Sequence, residues 1–68
     1  MQRSLSFYEC EHEGDYENYA HDLKECGATI ISHLIDTDAE IVDVVIEVED
    51  NEKFMEQFRK TESYEFVD

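Results

Sequence analysis

The densest group of chemistry-bearing side chains is Cys10-Glu11-His12-Glu13, with Asp15 close behind. Cys10 and His12 stand at i and i+2, so a thiolate and an imidazole could approach one cation. A structural zinc needs about four such ligands, usually from paired motifs. The second pair is missing, because His21, Cys26 and His33 stand alone. The segment reads as a polar loop, and no metal is expected. Asp36-Thr37-Asp38-Ala39-Glu40 sets acids at i, i+2 and i+4. It lacks the glycine and the distal glutamate of a calcium loop, so calcium is not expected either.

Catalytic equipment is equally sparse. A cysteine nucleophile needs a base, an oxyanion hole and a cationic setting that favours the thiolate. Cys10 lies between Glu9 and Glu11, and Cys26 follows Glu25, which is the opposite setting. No Gly-rich phosphate loop, GxSxG or HExxH motif occurs. The expectation is a non-enzyme with no catalytic residues and no cofactor. Two cysteines without a CxxC spacing do not make a disulfide framework. They fit a reduced, cytoplasmic protein, with a single Cys10–Cys26 bridge left open.

Carboxylate is what the chain has in quantity. Its 68 residues hold 19 acids against 5 bases, for a formal charge of −14. Phosphate affinity needs Lys and Arg, so direct binding to nucleic acid or an anionic membrane is excluded. No apolar run approaches the roughly 20 residues of a membrane-spanning helix. Met1-Gln2-Arg3-Ser4 is not followed by the apolar stretch of a secretory signal.

The charge is uneven. In residues 50–61, Lys53, Arg59 and Lys60 balance Asp50, Glu52 and Glu56. Elsewhere the excess is negative. Glu9, Glu11, Glu13, Asp15 and Glu17 follow one another along the first loop and helix, and Asp36, Asp38 and Glu40 crowd a turn. One reading is a solvated surface of the kind found in salt-adapted proteins. The other is a polyanionic surface whose carboxylates imitate a phosphate backbone. Such a surface would dock on a basic, nucleic-acid-binding protein as a stoichiometric inhibitor or regulator. These eight acids are its candidate partner-binding residues.

A folded frame must position them. Leu5 and Phe7 alternate with polar neighbours over Ser4–Glu9, the mark of a half-buried strand. Asp15 reads as the N-cap of a helix over residues 15–26, with Tyr16, Tyr19, Ala20 and Leu23 on one stripe and Gly27 as its stop. Residues 28–35 and 40–49 read as two strands joined by the acidic turn. Val42, Val44, Ile46 and Val48 share one face of the second. Asp50 or Asn51 starts another helix carrying Phe54, Met55 and Phe58, with Arg59 and Lys60 in its last turn. Tyr64–Val67 reads as a last short strand.

The order βαββαβ implies an α+β ferredoxin-like plait: a four-stranded antiparallel sheet with both helices on one face. The alternative is a three-stranded sheet with a frayed C-terminal segment. Right-handed connections place the first and third strands side by side at the centre. The helix-facing core would hold Leu5, Phe7, Tyr19, Leu23, Ile30, Leu34, Val42, Val44, Ile46, Val48, Phe54, Phe58 and Phe66. The uncovered face would carry Tyr8, Ile31, Ile35, Ile41 and Val45, beside His33, Asp43 and Glu47. An apolar patch there implies a homodimer or a partner surface, unless the register is off by one. The second functional reading is a small-ligand regulatory module of the ACT-like kind, which shares the βαββαβ order and would act as a homodimer.

Overall fold

The computed structural model describes residues 1–68. Three strands, β1 (Gln2–Phe7), β2 (Thr29–Asp36) and β3 (Ile41–Glu47), form one antiparallel sheet in the order β1-β3-β2. Two helices, α1 (Glu13–Glu25) and α2 (Asn51–Phe58), complete a βαββα order. No helix is long and apolar enough to cross a membrane.

The central place goes to the strand with the most regular apolar alternation. Val42, Val44 and Ile46 of β3 are fully buried, while Asp43 and Glu47 are exposed on the other face. β3 sets Val44 opposite Leu5 and Val42 opposite Phe7. Phe7, also fully buried, stacks on Tyr19 of α1 at 4.6 Å between ring centroids and meets Phe58 of α2 edge-on at 6.1 Å. One aromatic residue thus joins sheet and both helices.

α1 starts earlier than the sequence suggests. His12, not Asp15, is the N-cap, and Asp15 sits in the first turn. Its carboxylate reaches back to accept the Glu11 N–H at 3.0 Å, much as an acid does in a capping box. The helix stops as expected. Gly27 takes φ +93°, its N–H donates to Lys24 and the Ala28 N–H donates to Leu23. This is the Schellman pattern, with buried Ala28 packed near buried Leu23. A Cβ at Gly27 would meet nothing within 4 Å, so substitution strains only the backbone. Gly27→Ala is expected to cost about 1 kcal/mol, read as a lower urea midpoint with an unchanged slope.

β2 departs from the expected pattern at one residue. Leu34 is 70% exposed and not in the core, whereas Ile35 packs against the core and does not lie on the open face. The cause is a bulge between Ile30 and Ser32. From the α1 stop, the chain must bury Ala28 and then turn Ile30 inward. From the hairpin turn, Ile35 must face Val42, which is fully buried. Those two demands have opposite parity, and one extra residue, Ile31, absorbs the difference. His33 is thereby turned to the helix side, where its ring stacks on Tyr16 at 3.7 Å.

α2 is capped by Asp50, whose side chain accepts the Lys53 N–H at 3.1 Å, and Asn51 accepts from Arg3. The helix ends at Phe58, so Arg59 is its C-cap and Lys60 lies beyond it.

The full four-stranded plait does not form. Glu62–Phe66 makes a 3-10 turn, and only Val67 bridges to Phe7. Side-chain anchors account for this. The buried Ser63 hydroxyl donates to Asp22, Tyr64 meets Phe58 edge-on and Phe66 leans on Tyr19. These contacts turn Ser63, Tyr64 and Phe66 all toward the helices, although Tyr64 stays exposed, and a two-residue period cannot aim both Ser63 and Tyr64 the same way. The sheet has the three strands of the alternative, but the C-terminal segment is an anchored 3-10 turn and not frayed, and the βαββαβ order on which the ACT-like comparison rested is incomplete.

Candidate functional site

The acids of the first loop and of the hairpin turn are distant in sequence and meet at one end of the sheet. The Cys10 N–H donates to the Glu40 carbonyl at 2.9 Å and ties the two segments together. Both need unusual backbone: Glu9 and Glu40 adopt φ +55° and +57°. The turn is held by Asp36, whose carboxylate accepts the N–H groups of Asp38 and Ala39, each at 3.1 Å. Glu9, Glu11, Asp36, Asp38 and Glu40 therefore share this end. Glu13 and Glu17 continue the surface along α1, one helical turn apart.

The eight acids are not equivalent. Asp15 and Asp36 hold backbone, and Glu13 approaches the His33 imidazole at 3.2 Å through both oxygens. Glu9, Glu11, Glu17, Asp38 and Glu40 have exposed side chains with no hydrogen-bond partner.

The negative charge is not cancelled within the fold. Carboxylates lie within 4 Å of an ionisable nitrogen only at His12, His21, His33 and the N-terminal amine, and no Lys or Arg takes part in any of these contacts. Residues 25–52 contain neither Lys nor Arg, nor do residues 4–23.

A groove of about 460 Å³ between α1 and the 3-10 turn is lined by Asp15, Asp22 and Glu62 together with the rings of Tyr19 and Phe66. Carboxylates beside aromatic rings suit a guanidinium or ammonium group.

Cys10 is part of the core, not of a polar loop. It is fully buried, with its thiol 3.7 Å from the His12 carbonyl, while the His12 side chain is 70% exposed. The two do not converge on one point. Cys26 is half-buried at the α1 C-cap, and both thiols are free. Burial pushes the Cys10 thiol up, helped by the charges of Asp15 and Glu13. Burial does the same to Cys26, helped by Asp22 and Glu25. Burial raises Tyr16, helped by Glu13 and Glu17, and raises Tyr19, helped by Cys10 and then by Glu9 and Asp15.

These four shifts have one sign. The fold favours the neutral form of each group, so its contribution to stability is complete below the ordinary values of 9.0 and 10.0. It is lost as pH rises through the higher folded values. Urea midpoints are therefore expected to fall steeply above about pH 9, and Tyr19→Phe should flatten part of that fall. A midpoint constant to about pH 11 would contradict the burial of these groups.

The uncovered sheet face is not the apolar patch expected. Of Tyr8, Ile31, Ile35, Ile41 and Val45, only Ile41 and Val45 remain on it, both half-buried. Ile35 has turned inward, and Ile31 is the bulge residue. Tyr8 lies past the end of β1 with its hydroxyl donating to Asp68 at 2.5 Å. Leu34 joins the face instead, among Ser4, Ser6, Ser32 and Asp43. The sequence offered a signal for this: residues 30, 31, 34 and 35 are apolar in both parities, so alternation alone could not fix the face. No protein-family model, curated protein or solved structure matches the chain.

Proposed function

We propose that this chain is a non-enzymatic acidic interaction domain. It docks its anionic end on a basic, nucleic-acid-binding protein and competes there with nucleic acid, acting as an inhibitor or regulator. The observation that carries this reading is the joining of two acid-rich segments by the Cys10–Glu40 bond while their carboxylates stay free of Lys and Arg. A chain adapted only for solubility has no need to gather such groups at one end of its sheet.

The chemistry of such a contact is simple. Exposed carboxylates at Glu9, Glu11, Glu17, Asp38 and Glu40 would accept from Arg and Lys of the partner, as phosphate oxygens do. The field of a −14 chain would draw the partner in before contact. The immobilised protein should retain a basic protein at low salt and release it as salt screens the field. Adding this chain should then displace that protein from DNA or RNA. If no basic protein is retained at low salt, or if the retained one keeps its nucleic acid, the proposal fails.

A further inference from the structure

β2 closes the sheet on one side, and nothing in the chain pairs with its outer edge. β3 occupies its inner side, and none of the loop, turn or cap backbone bonds involves residues 29–36. The outer edge of β1 is different. There the Tyr8 N–H donates to Phe66, the Asp68 N–H donates to Ser6, and Val67 bridges to Phe7. An open edge is a template for another strand, and proteins usually guard it with Lys, Pro or a bulge. β2 has a bulge at Ile31 but neither Lys nor Pro. It also holds exposed apolar side chains, Ile31 at 50% and Leu34 at 70%.

Charge decides what can occupy it. Thr29 lies opposite Glu47, Leu34 opposite Asp43, and Glu13 reaches over to His33 from α1. Asp36 and Asp38 stand at the turn end. A second copy laid along β2 would bring two chains of charge −14 together, and their fields repel. A strand that alternates Lys or Arg with apolar residues would turn its cations to the open face, within reach of Asp43 and with their aliphatic stems over Leu34, and its apolar residues toward α1. Where α1 meets β2, an open groove of about 490 Å³ lined by Tyr16, Ala28 and Ile30 leaves room for its apolar side chains, with Lys24 the one cation there.

We propose that the free edge of β2 takes up an extended basic–apolar segment of the partner as a fourth strand. This rests on the partner being basic, as argued above, and adds the backbone pairing that fixes its register. The probe is a synthetic peptide of alternating Lys and Val, about eight residues long to match β2. Its control is the same peptide with N-methylated valines, which keeps the charge and loses those N–H donors. Amide exchange of the whole chain is followed residue by residue by NMR at low salt.

Protection of the outward β2 amides by at least ~10-fold with the first peptide, and not with the second, is the expected result. Leu34→Ser should weaken the first peptide about threefold, the scale of one cross-strand pair. If both peptides bind equally and β2 amides exchange as before, the edge proposal is overturned while the anionic surface stands. If neither peptide binds, the edge proposal is overturned, and the docking reading stands or falls by the retention experiment above. If β2 amides are already protected in the free protein and light scattering gives a dimer, the edge belongs to a second copy and the proposal is overturned.

Discussion

Phe7→Ala should abolish the cooperative thermal transition of this chain in dilute buffer. A core this small rarely supplies more than ~3–5 kcal/mol in total. Removing a buried Phe costs about 3–5 kcal/mol, the lost transfer energy plus the cavity left behind. Phe7 has no exposed surface, and its ring is the common contact of Tyr19 and Phe58. The cavity would therefore open between the sheet and both helices at once. Leu34→Ala is the matched control. Both residues belong to the core expected from the sequence, but Leu34 is 70% exposed, so its truncation should leave the melting curve nearly unmoved. Far-ultraviolet circular dichroism against temperature checks both. Equal losses from the two variants would mean that the bulge in β2 is misplaced.

Replacing Glu11, Glu17 and Asp38 together with Lys should slow association with the basic partner by about 10-fold or more at low salt. These three are chosen because their exposed side chains accept no hydrogen bond in the fold. Asp15 and Asp36 are unsuitable, since both hold backbone N–H groups. The expected signature is kinetic. Long-range charge sets the approach, so the association rate should fall while dissociation changes less, and the difference should shrink once the Debye length drops below ~10 Å. The same variant should be at least as stable as the parent, because it relieves repulsion in a chain of charge −14. Stopped-flow mixing over a salt series, with urea melts alongside, separates the two effects. A rate insensitive to both the substitutions and salt would contradict docking through this end.

The elements carried by strong local signals were legible without coordinates. Val42, Val44, Ile46 and Val48 announce a central strand, Tyr16–Tyr19–Ala20–Leu23 a helical stripe, and Gly27 its stop. All of these are borne out. Asp50 as a cap is equally readable. The misreadings share one feature, a local pattern that admits two answers. Apolar pairs at 30–31 and 34–35 fit either face of β2. Tyr64 and Phe66 are compatible with a strand as well as a tight turn. Cys10 among acids looks solvated, yet it is carried into the core by the chain reversal between β1 and α1.

The candidate site divides the same way. Its residue types and the size of the charge were plain in the sequence. Which carboxylates remain free, and which are consumed by Asp15 at the helix start or Asp36 in the turn, was not. Nor was the meeting of Glu9–Glu11 with Glu40, which depends on one backbone bond between segments about thirty residues apart.

Composition and periodicity by themselves determined the class of this protein: an α+β frame of antiparallel strands and two helices, with a surplus of anions. Those properties are sums over residues or repeats within one element, so neighbours along the chain suffice to define them. Only the tertiary structure decided the β2 bulge, the 3-10 turn in place of a fourth strand, the open edge and the shared acidic end. Each of these settles a conflict between parts that never meet in sequence, and packing resolves it by setting half-buried Ile35 beside Val42 and bonding buried Ser63 to Asp22 at the expense of local regularity.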